Sequence, residues 1–171
     1  MLLTSNQIIA SSKHLNMLPS SLASLDRVDW VPVNELSKII LELAGLDTIR
    51  NTTSPSTPAF SLSIFHTVNP STCPWSSLVP TVAASLGPSV RVVPWATWLS
   101  ALHASRDKGE IDQNPGIKLL DFYDAADKME KAGLELPVLE TEVTGLRSET
   151  LRRVGPIREE WMREWMKQWD F

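Results

Sequence analysis

The stretch Val28–Gly45, VDWVPVNELSKIILELAG, combines the patterns of a buried strand, a tight turn and an amphipathic helix. Its valines and tryptophan favour a strand that ends near Pro32, because proline cannot donate a ladder hydrogen bond. Asn34 is predicted to cap the following helix, and Gly45 to end it in the left-handed conformation. The apolar stripe predicted to face the core comprises Leu36, Ile39, Ile40, Leu43 and Ala44.

Outward from this stretch, helices alternate with short strands. A helix is predicted from Thr4 to Asn16, and strands at Leu62–Val68 and Val90–Val93. The first of these strands has the continuous apolar pattern of a parallel strand buried on both faces. The other predicted helices are Ser76–Leu86, one carrying Trp95 and Leu102, one capped by Asn114 before Pro115, a short one capped by Ser148, and a final one opened by Pro156. This rhythm predicts a helix-rich α/β fold.

Polar stretches separate some of these elements. Residues 46–60 are rich in Thr, Ser and Pro and are predicted to form an exposed loop, as is Ala104–Gln113. Cys73, the single cysteine, is expected in a surface loop. The last helix is predicted to pack against the body through one broad face, although this face could instead line an acyl or aromatic substrate pocket. That face carries Trp161, Met162, Trp165, Met166 and Trp169.

The composition is typical of a soluble globular protein. The 171 residues suffice for one domain, with 43% hydrophobic and 21% charged residues. A net charge of -4 argues against general binding to nucleic acid, which relies on a basic surface. No apolar run is long enough to cross a bilayer, and the first residues lack a signal-peptide pattern. We therefore expect a cytoplasmic protein with neither a nucleic-acid nor a membrane partner.

The sequence predicts no catalytic, cofactor-binding or metal-binding residue of its own. No two of the seven glycines stand within three residues of each other, so a glycine-rich phosphate loop is absent. Tyr123, the only tyrosine, is followed four residues later by Asp127, whereas short-chain dehydrogenases have a lysine there. His66 has no second ligand at zinc-type spacing and is expected to be a packed histidine. Paired acidic residues on the helices are expected to be solvated.

Several motifs together resemble a known family. They are VDWVPVN (28–34), FHTVNP (65–70), Trp75, VVPWATWLSAL (92–102), NPGIKLLDFYD (114–124), SETLRRVGP (148–156) and the final tryptophan-rich helix. This set resembles the C-terminal part of the thioester reductase domain in fungal NRPS-like adenylate-forming reductases and carboxylic acid reductases, which belong to the extended short-chain dehydrogenases. The resemblance covers nearly the whole chain. Asn34 stands where the family pattern has Asp, which keeps a helix cap but removes its charge.

The resemblance implies that residues 1–171 form one partial domain. This domain would be the substrate-binding C-terminal portion of an extended Rossmann-type reductase that lacks the glycine-rich N-terminal half. In the complete family enzyme, NADPH reduces an acyl group carried on phosphopantetheine, which is released as an aldehyde. The chain alone is expected to bind no cofactor and to be inactive. By family position, Asn69, Pro70, Trp75 and Lys118 are expected to contribute to the substrate pocket.

The expected partners are the missing N-terminal reductase part or a phosphopantetheine carrier domain. If Leu62–Val68 lies at the edge of a sheet whose neighbouring strand belongs to the missing part, the isolated chain is expected to self-associate. A non-catalytic protein that docks onto a reductase through this strand and the tryptophan-rich helix is the alternative, as is a truncated gene product. An upstream reading frame encoding Tyr-x-x-x-Lys and a glycine-rich segment would favour truncation.

Overall fold

The computed structural model describes residues 2–45 and 63–170, in which helices predominate. The helices are α1 (Leu2–Leu15), α2 (Val33–Leu43), α3 (Val79–Leu86), α4 (Trp95–Asp107), α5 (Leu120–Lys131), α6 (Glu142–Arg147), α7 (Glu149–Arg153) and α8 (Glu159–Gln168). The strands are β1 (Met17–Pro19), β2 (Arg27–Val28), β3 (Cys73–Pro74) and β4 (Arg91–Val93), and 3-10 turns occupy Ala23–Leu25, Trp75–Ser77 and Pro115–Leu119. The predicted helix-rich α/β character is confirmed. The loop predicted at 46–60 lies outside the described residues.

The chain divides into two compact units. Unit 1 comprises Met1–Val28, Cys73–Pro137 and Ile157–Phe171, and unit 2 comprises Asp29–Thr72 and Val138–Pro156. All the described strands therefore lie in unit 1, whereas unit 2 contains α2, α6 and α7. The prediction of a single partial domain stays a prediction, because this division describes compactness within the chain and not independent folding.

Two small sheets organise unit 1. β1 and β4 pair in parallel, so the strand predicted at Val90–Val93 is confirmed. β2 and β3 pair antiparallel, with Val28 opposite Cys73. Cys73 therefore lies in a strand and not in the predicted surface loop, because pairing with β2 extends the main chain there. Its Sγ lies 3.8 Å from the carbonyl oxygen of Ile157.

The core of unit 1 contains tryptophan rings whose N–H groups have acceptors. Trp75 is buried and donates its Nε1–H to the carbonyl of Pro19 at 2.9 Å. Trp98 is also buried and donates to Ser12 Oγ at 3.1 Å, and that hydroxyl in turn donates to the carbonyl of Ile8 at 2.7 Å. A buried donor without an acceptor costs about 1 to 3 kcal/mol. These bonds therefore allow large amphipathic rings to fill the core.

The tryptophan-rich helix α8 is docked, as predicted. It packs against α3 within unit 1. The side chains that are buried are Met162, Trp165 and Met166, whereas Trp161 and Trp169 are half-buried. The prediction that one broad face of this helix packs against the body is confirmed.

The start of α2 differs from the prediction. The helix begins at Val33, and Pro32 before it has an extended conformation with φ -57° and ψ 140°. Asn34 therefore lies inside the first turn and does not cap the helix, and its Nδ2 donates to Glu35 Oε1 at 3.0 Å. The preceding strand is also shorter than predicted, because only Arg27–Val28 pairs with β3.

Other helix boundaries differ for a common reason. A 3-10 turn precedes α3 and another precedes α5, and a pattern of apolar residues does not distinguish such a turn from the start of an α-helix. The predicted starts at Ser76 and Asn114 are therefore early. α8 likewise begins at Glu159 and not at Pro156, since Arg158 is still extended. The predicted loop from Ala104 is wrong over its first residues, which continue α4.

The apolar stripe of α2 is also turned away from the predicted direction. Ile39 is the one member that is buried, whereas Leu36 and Leu43 are half-buried and Ile40 and Ala44 are exposed. The inward side of the helix combines buried Ile39 with Glu42, which is hydrogen-bonded to the start of α7. The prediction that this stripe faces the core is wrong for its exposed members.

The buried strand predicted at Leu62–Val68 is wrong for its described residues, 63–68. No strand is assigned there, and Ile64 is 74% exposed. A strand needs a neighbour that receives its N–H and C=O groups. Among the described residues, the main chain of 63–68 makes no hydrogen bond, and the first is from Asn69 N–H to the carbonyl of Asp29 at 2.9 Å. Residues 63–68 therefore have the apolar pattern of a strand, but no neighbouring strand pairs with them within the described residues.

Gly116 lies where two segments of unit 1 approach each other closely. Its N–H donates to Ser11 Oγ at 2.8 Å. A Cβ at position 116 would lie 2.4 Å from that oxygen and 3.2 Å from Ser11 Cβ. The 3-10 turn Pro115–Leu119 can therefore contact α1 only because residue 116 has no side chain.

We predict that Gly116→Ala lowers the free energy of unfolding by about 1 to 3 kcal/mol, because the methyl group overpacks a buried contact. The matched control is Gly155→Ala, since a Cβ there meets nothing within 4 Å. Urea denaturation of both variants measures the difference. Equal stability of the two variants would contradict the close approach.

Candidate functional site

Asn69, one of the four predicted substrate-binding residues, is buried in unit 2 and its side chain is fully hydrogen-bonded. Its Nδ2 donates to the carbonyls of Trp30 at 3.1 Å and Gly155 at 2.9 Å. Its Oδ1 accepts from the main-chain N–H of Ser71 at 2.9 Å. Asn69 thus joins three stretches of unit 2, and its amide has a clear structural use. A contact with substrate stays a prediction.

The other three predicted residues differ in what their side chains offer. Pro70 is exposed in unit 2. Trp75 is buried in unit 1, and its indole N–H, the only polar group of the side chain, donates to the carbonyl of Pro19. Lys118 is exposed on a 3-10 turn of unit 1, and no partner for its ammonium group lies within the described part of the chain. Lys118 is therefore the predicted residue with an available charged group, although its role also stays a prediction.

An aromatic cluster in unit 1 was not among the predicted site residues. The ring centroids of Trp95 and Trp98 lie 5.3 Å apart in a stacked arrangement, and Tyr123 meets them edge-on at 5.9 and 5.5 Å. Trp95 and Tyr123 are buried, and among the described residues neither Trp95 Nε1 nor Tyr123 Oη has a hydrogen-bond partner. The only sequence signal was the helical spacing of the two tryptophans, which does not reveal a tyrosine on the next helix.

Tyr123 is a core residue and not a proton donor of the short-chain dehydrogenase type. Burial raises the pKa of its hydroxyl, because a phenolate would lose its hydration. The residue four positions later, Asp127, is bonded to Lys131 at 2.6 Å, and it has the opposite charge to the lysine that lowers a catalytic tyrosine's pKa. The hydroxyl of Tyr123 therefore stays protonated near neutral pH.

A second polar group in unit 1 contains the residue types of a hydrolytic triad in the wrong order. Glu110 Oε2 accepts from Ser105 Oγ at 2.5 Å and lies 3.1 Å from His14 Nε2. Asn114 Nδ2 donates to Ser105 Oγ at 3.0 Å. In a triad the imidazole contacts the serine and removes its proton. Here the carboxylate lies between them, so the group links α1 to the end of α4 and has no activated nucleophile.

The described residues also show no metal site. Within 2–45 and 63–170, no group of three or more His, Cys, Asp or Glu side chains could hold a metal ion. His66 is half-buried, and its Nδ1–H donates to the carbonyl of Glu140 at 2.9 Å, which fits the predicted packed histidine. None of the helices in the described ranges has the length and apolar character needed to cross a bilayer.

In unit 2, the carboxylate of Glu42 accepts hydrogen bonds from several donors. Glu42 accepts from Ser148 Oγ, from Thr150 Oγ1 at 2.6 Å and from the N–H of Thr150 at 3.2 Å. Ser148 Oγ also accepts from Leu151 N–H at 3.0 Å, so its predicted role as a helix cap is confirmed. Burial raises the pKa of Glu42. The hydrogen bonds from Ser148 and Thr150 and the charge of Arg152 lower this pKa by more, so the net shift is downward.

The chain is thus helix-rich α/β, and its polar clusters mainly hold neighbouring segments together. Comparison with known proteins identifies the family to which it belongs. No family model matches the chain. It is 36% identical over 166 residues to the carboxylic acid reductase of Neurospora crassa. The matched region covers 96% of this chain and 15% of the relative. It is 31% identical over 164 residues to the non-reducing polyketide synthase pigA of Monascus ruber, with 95% and 5% covered. It is 29% identical over 126 residues to the adenylate-forming reductase Nps10 of Heterobasidion annosum, with 70% and 10% covered.

These relatives confirm the resemblance drawn from the sequence motifs. The chain belongs to the family of C-terminal reductase regions found in fungal carboxylic acid reductases, polyketide synthases and adenylate-forming reductases. It spans about 15% of the length of the carboxylic acid reductase and about 5% of the polyketide synthase. The activity of those whole proteins can therefore only be proposed for this chain.

We predict that the stability of unit 2 depends on pH through Glu42. The pKa of this carboxyl is lower in the folded chain than its ordinary value of 4.5, so its contribution is present above about pH 4.5 and is lost as pH falls through the lower folded value. Glu42→Gln should lower the free energy of unfolding at pH 7 by about 1.5 to 3 kcal/mol, because bonds to a charged acceptor are lost. Urea denaturation between pH 3 and pH 7 tests this, and an unchanged pH dependence in the variant would contradict it.

Proposed function

We propose that this chain forms the substrate-side part of an NADPH-dependent thioester reductase. The complete enzyme would take an acyl group held as a thioester on a phosphopantetheine arm and release it as an aldehyde. The observation that carries the proposal is the 36% identity with a carboxylic acid reductase over 96% of the chain. The polyketide synthase and the adenylate-forming reductase support it, because the same region recurs in proteins that build different products.

The cofactor would be held by another part of the enzyme, since the residues of this chain do not fit it. A dinucleotide site needs glycines before the start of a helix, where main-chain N–H groups meet the pyrophosphate. Several glycines here instead follow the ends of helices with positive φ, namely Gly45, Gly87, Gly109 and Gly133. Gly116 precedes α5, but its N–H is already bonded to Ser11 Oγ.

Lys118 would contribute charge on the substrate side. Its ammonium group is exposed, whereas the polar groups of Asn69 and Trp75 are already bonded inside their units. A phosphopantetheine arm carries a phosphate, which a lysine attracts as a point charge. We therefore propose Lys118, among the four family-position residues, as the one that contacts the carrier-bound substrate.

A non-catalytic docking protein is the second candidate. It is favoured by the large apolar side chains that unit 2 exposes, which include Ile64 and Leu146. The sequence suggested docking through the segment Leu62–Val68 and the tryptophan-rich helix. Both give this candidate less support, because 63–68 is not assigned as a strand and the tryptophan-rich face of α8 is largely buried. In this reading the chain would bind a reductase without completing it.

The experiment that separates these functions is a chimera. The matched region of the Neurospora crassa carboxylic acid reductase is replaced by this chain, and aldehyde release from a carboxylic acid is measured with NADPH. We predict that the chimera releases aldehyde, whereas the relative with the region deleted and the 171-residue chain alone do not. Lys118→Ala in the chimera should raise KM for the carrier-bound acyl group more than it lowers kcat, because it removes a binding contact.

Two outcomes would contradict the proposal. A soluble, folded chimera that releases no aldehyde would favour a docking protein without a catalytic role. NADPH binding in the micromolar range or turnover by the chain alone would show that its residues hold the cofactor. Calorimetric titration of the chain with NADPH provides that second measurement.

A further inference from the structure

The segment that connects α5 to α6 forms neither a helix nor a strand. α5 ends at a Schellman motif, in which Gly133 has a φ of 66°. The N–H of Gly133 donates to the carbonyl of Glu130 at 2.9 Å, and the N–H of Leu134 donates to that of Met129 at 2.9 Å. Residues 135–141, up to the start of α6, therefore lie outside any regular hydrogen-bonded element.

The main chain of this segment is not held by hydrogen bonds. The N–H and C=O groups of residues 135–139 have no hydrogen-bond partner within the described parts of the chain. The next bond along the chain is made by the carbonyl of Glu140, which accepts from His66 Nδ1 at 2.9 Å. An extended peptide with unbonded main-chain groups can pair with the groove of another protein without first breaking bonds of its own.

The side chains of the same segment are mostly apolar and exposed. Their burial therefore contributes little to the stability of the folded chain. The apolar residues at 134–139, apart from Pro137, are Leu134, Leu136, Val138 and Leu139, of which Leu136 is half-buried and the others are 44% to 68% exposed.

Exposed apolar side chains alone would not distinguish this segment. Val143 and Leu146 are also exposed, by 62% and 77%, but they belong to helix α6. The main-chain N–H groups of a helix are bonded, so a helix must open locally before an extended-peptide site can accept it. Only 134–139 combines exposed apolar side chains with an unbonded main chain between two helices of known bounds.

We propose that 134–139 is a cleavage site, at which an endoprotease whose pocket accepts large apolar side chains cuts the folded chain. Exposed, unbonded segments are preferred sites of proteolytic nicking. The bond between Leu136 and Pro137 is unsuitable, because proline has no N–H to donate to the enzyme. At one of the other bonds water is the co-reactant: the C–N bond breaks, the oxygen of water joins the new carboxylate, and its two protons end on the new ammonium group.

The cut chain should stay folded, because the contacts on both sides of the cut lie elsewhere. α7 packs against α2 within unit 2, and α8 packs against α3 within unit 1. Each of these pairs joins a helix that precedes 134–139 to one that follows it. The two fragments are therefore expected to remain together after hydrolysis.

The test is limited digestion of the full 171-residue chain with thermolysin, which cuts before large apolar residues. Mass spectrometry should find fragment ends within 134–139, and the fragments should elute together in size-exclusion chromatography. The triple variant Leu136→Glu, Val138→Glu, Leu139→Glu should be cut there roughly tenfold more slowly, because a charge does not fit an apolar pocket. The matched control, Val143→Glu with Leu146→Glu in α6, should be cut there like the parent chain.

A urea series separates cutting of the folded chain from cutting of unfolded molecules. Below the unfolding transition seen by circular dichroism, the rate of cutting within 134–139 should not change with urea, because no global unfolding is required. A rate that rises in step with the unfolded population would overturn the proposal. So would the absence of fragment ends within 134–139 when the urea-unfolded chain is cut there, equal cutting of the triple variant and the parent, or separation of the fragments in chromatography.

Discussion

The bonds from Ser148 and Thr150 to Glu42, together with the buried side chain of Ile39, fix the orientation of α2 in unit 2. A carboxylate that accepts several hydrogen bonds cannot leave them without losing charge-assisted interactions. With Glu42 held inward, helical periodicity directs Val33 and Ile40 outward. The inward side of α2 is therefore built from one apolar side chain, Ile39, and one bonded carboxylate, Glu42. The same contact lowers the pKa of Glu42.

In unit 1, the large buried rings differ in whether their polar atoms are hydrogen-bonded. Trp75 and Trp98 have acceptors for their N–H groups. Trp95 and Tyr123 are buried against Trp98 without a hydrogen-bond partner in the described ranges. Tight packing against neighbouring rings compensates for such groups only in part.

The sequence predicted well those features that depend on neighbours in the chain. Ser148 caps a helix, Gly45 follows one with positive φ, and three residues of the apolar stripe of α8, Met162, Trp165 and Met166, are buried. Each follows from contacts within a few residues or from one clear helical period. Family membership was also predictable, because several spaced motifs occur together.

Features that depend on distant residues were not predictable. The apolar period of α2 indicated an amphipathic helix, but the bond between Glu42 and Ser148, which are separated by 106 positions, could not be predicted from that period. The run before Asn69 has a strand pattern without a strand neighbour among the described residues. Asn69 and Trp75 were inferred from family position, and their polar groups are bonded within the fold. A sequence pattern indicates that a side chain is suited to a contact, but not which atom it will meet.

Hydrogen exchange at residues 64–68 tests most directly the central claim of the proposed function, that this chain is the substrate-side part of a larger reductase. These main-chain amides have no acceptor among the described residues, so we expect them to exchange rapidly in the 171-residue chain. In the chimera with the Neurospora crassa relative they should become protected, together with slower exchange across α2 and α6. Strong protection in the isolated chain, or equally rapid exchange in the folded chimera, would contradict the account.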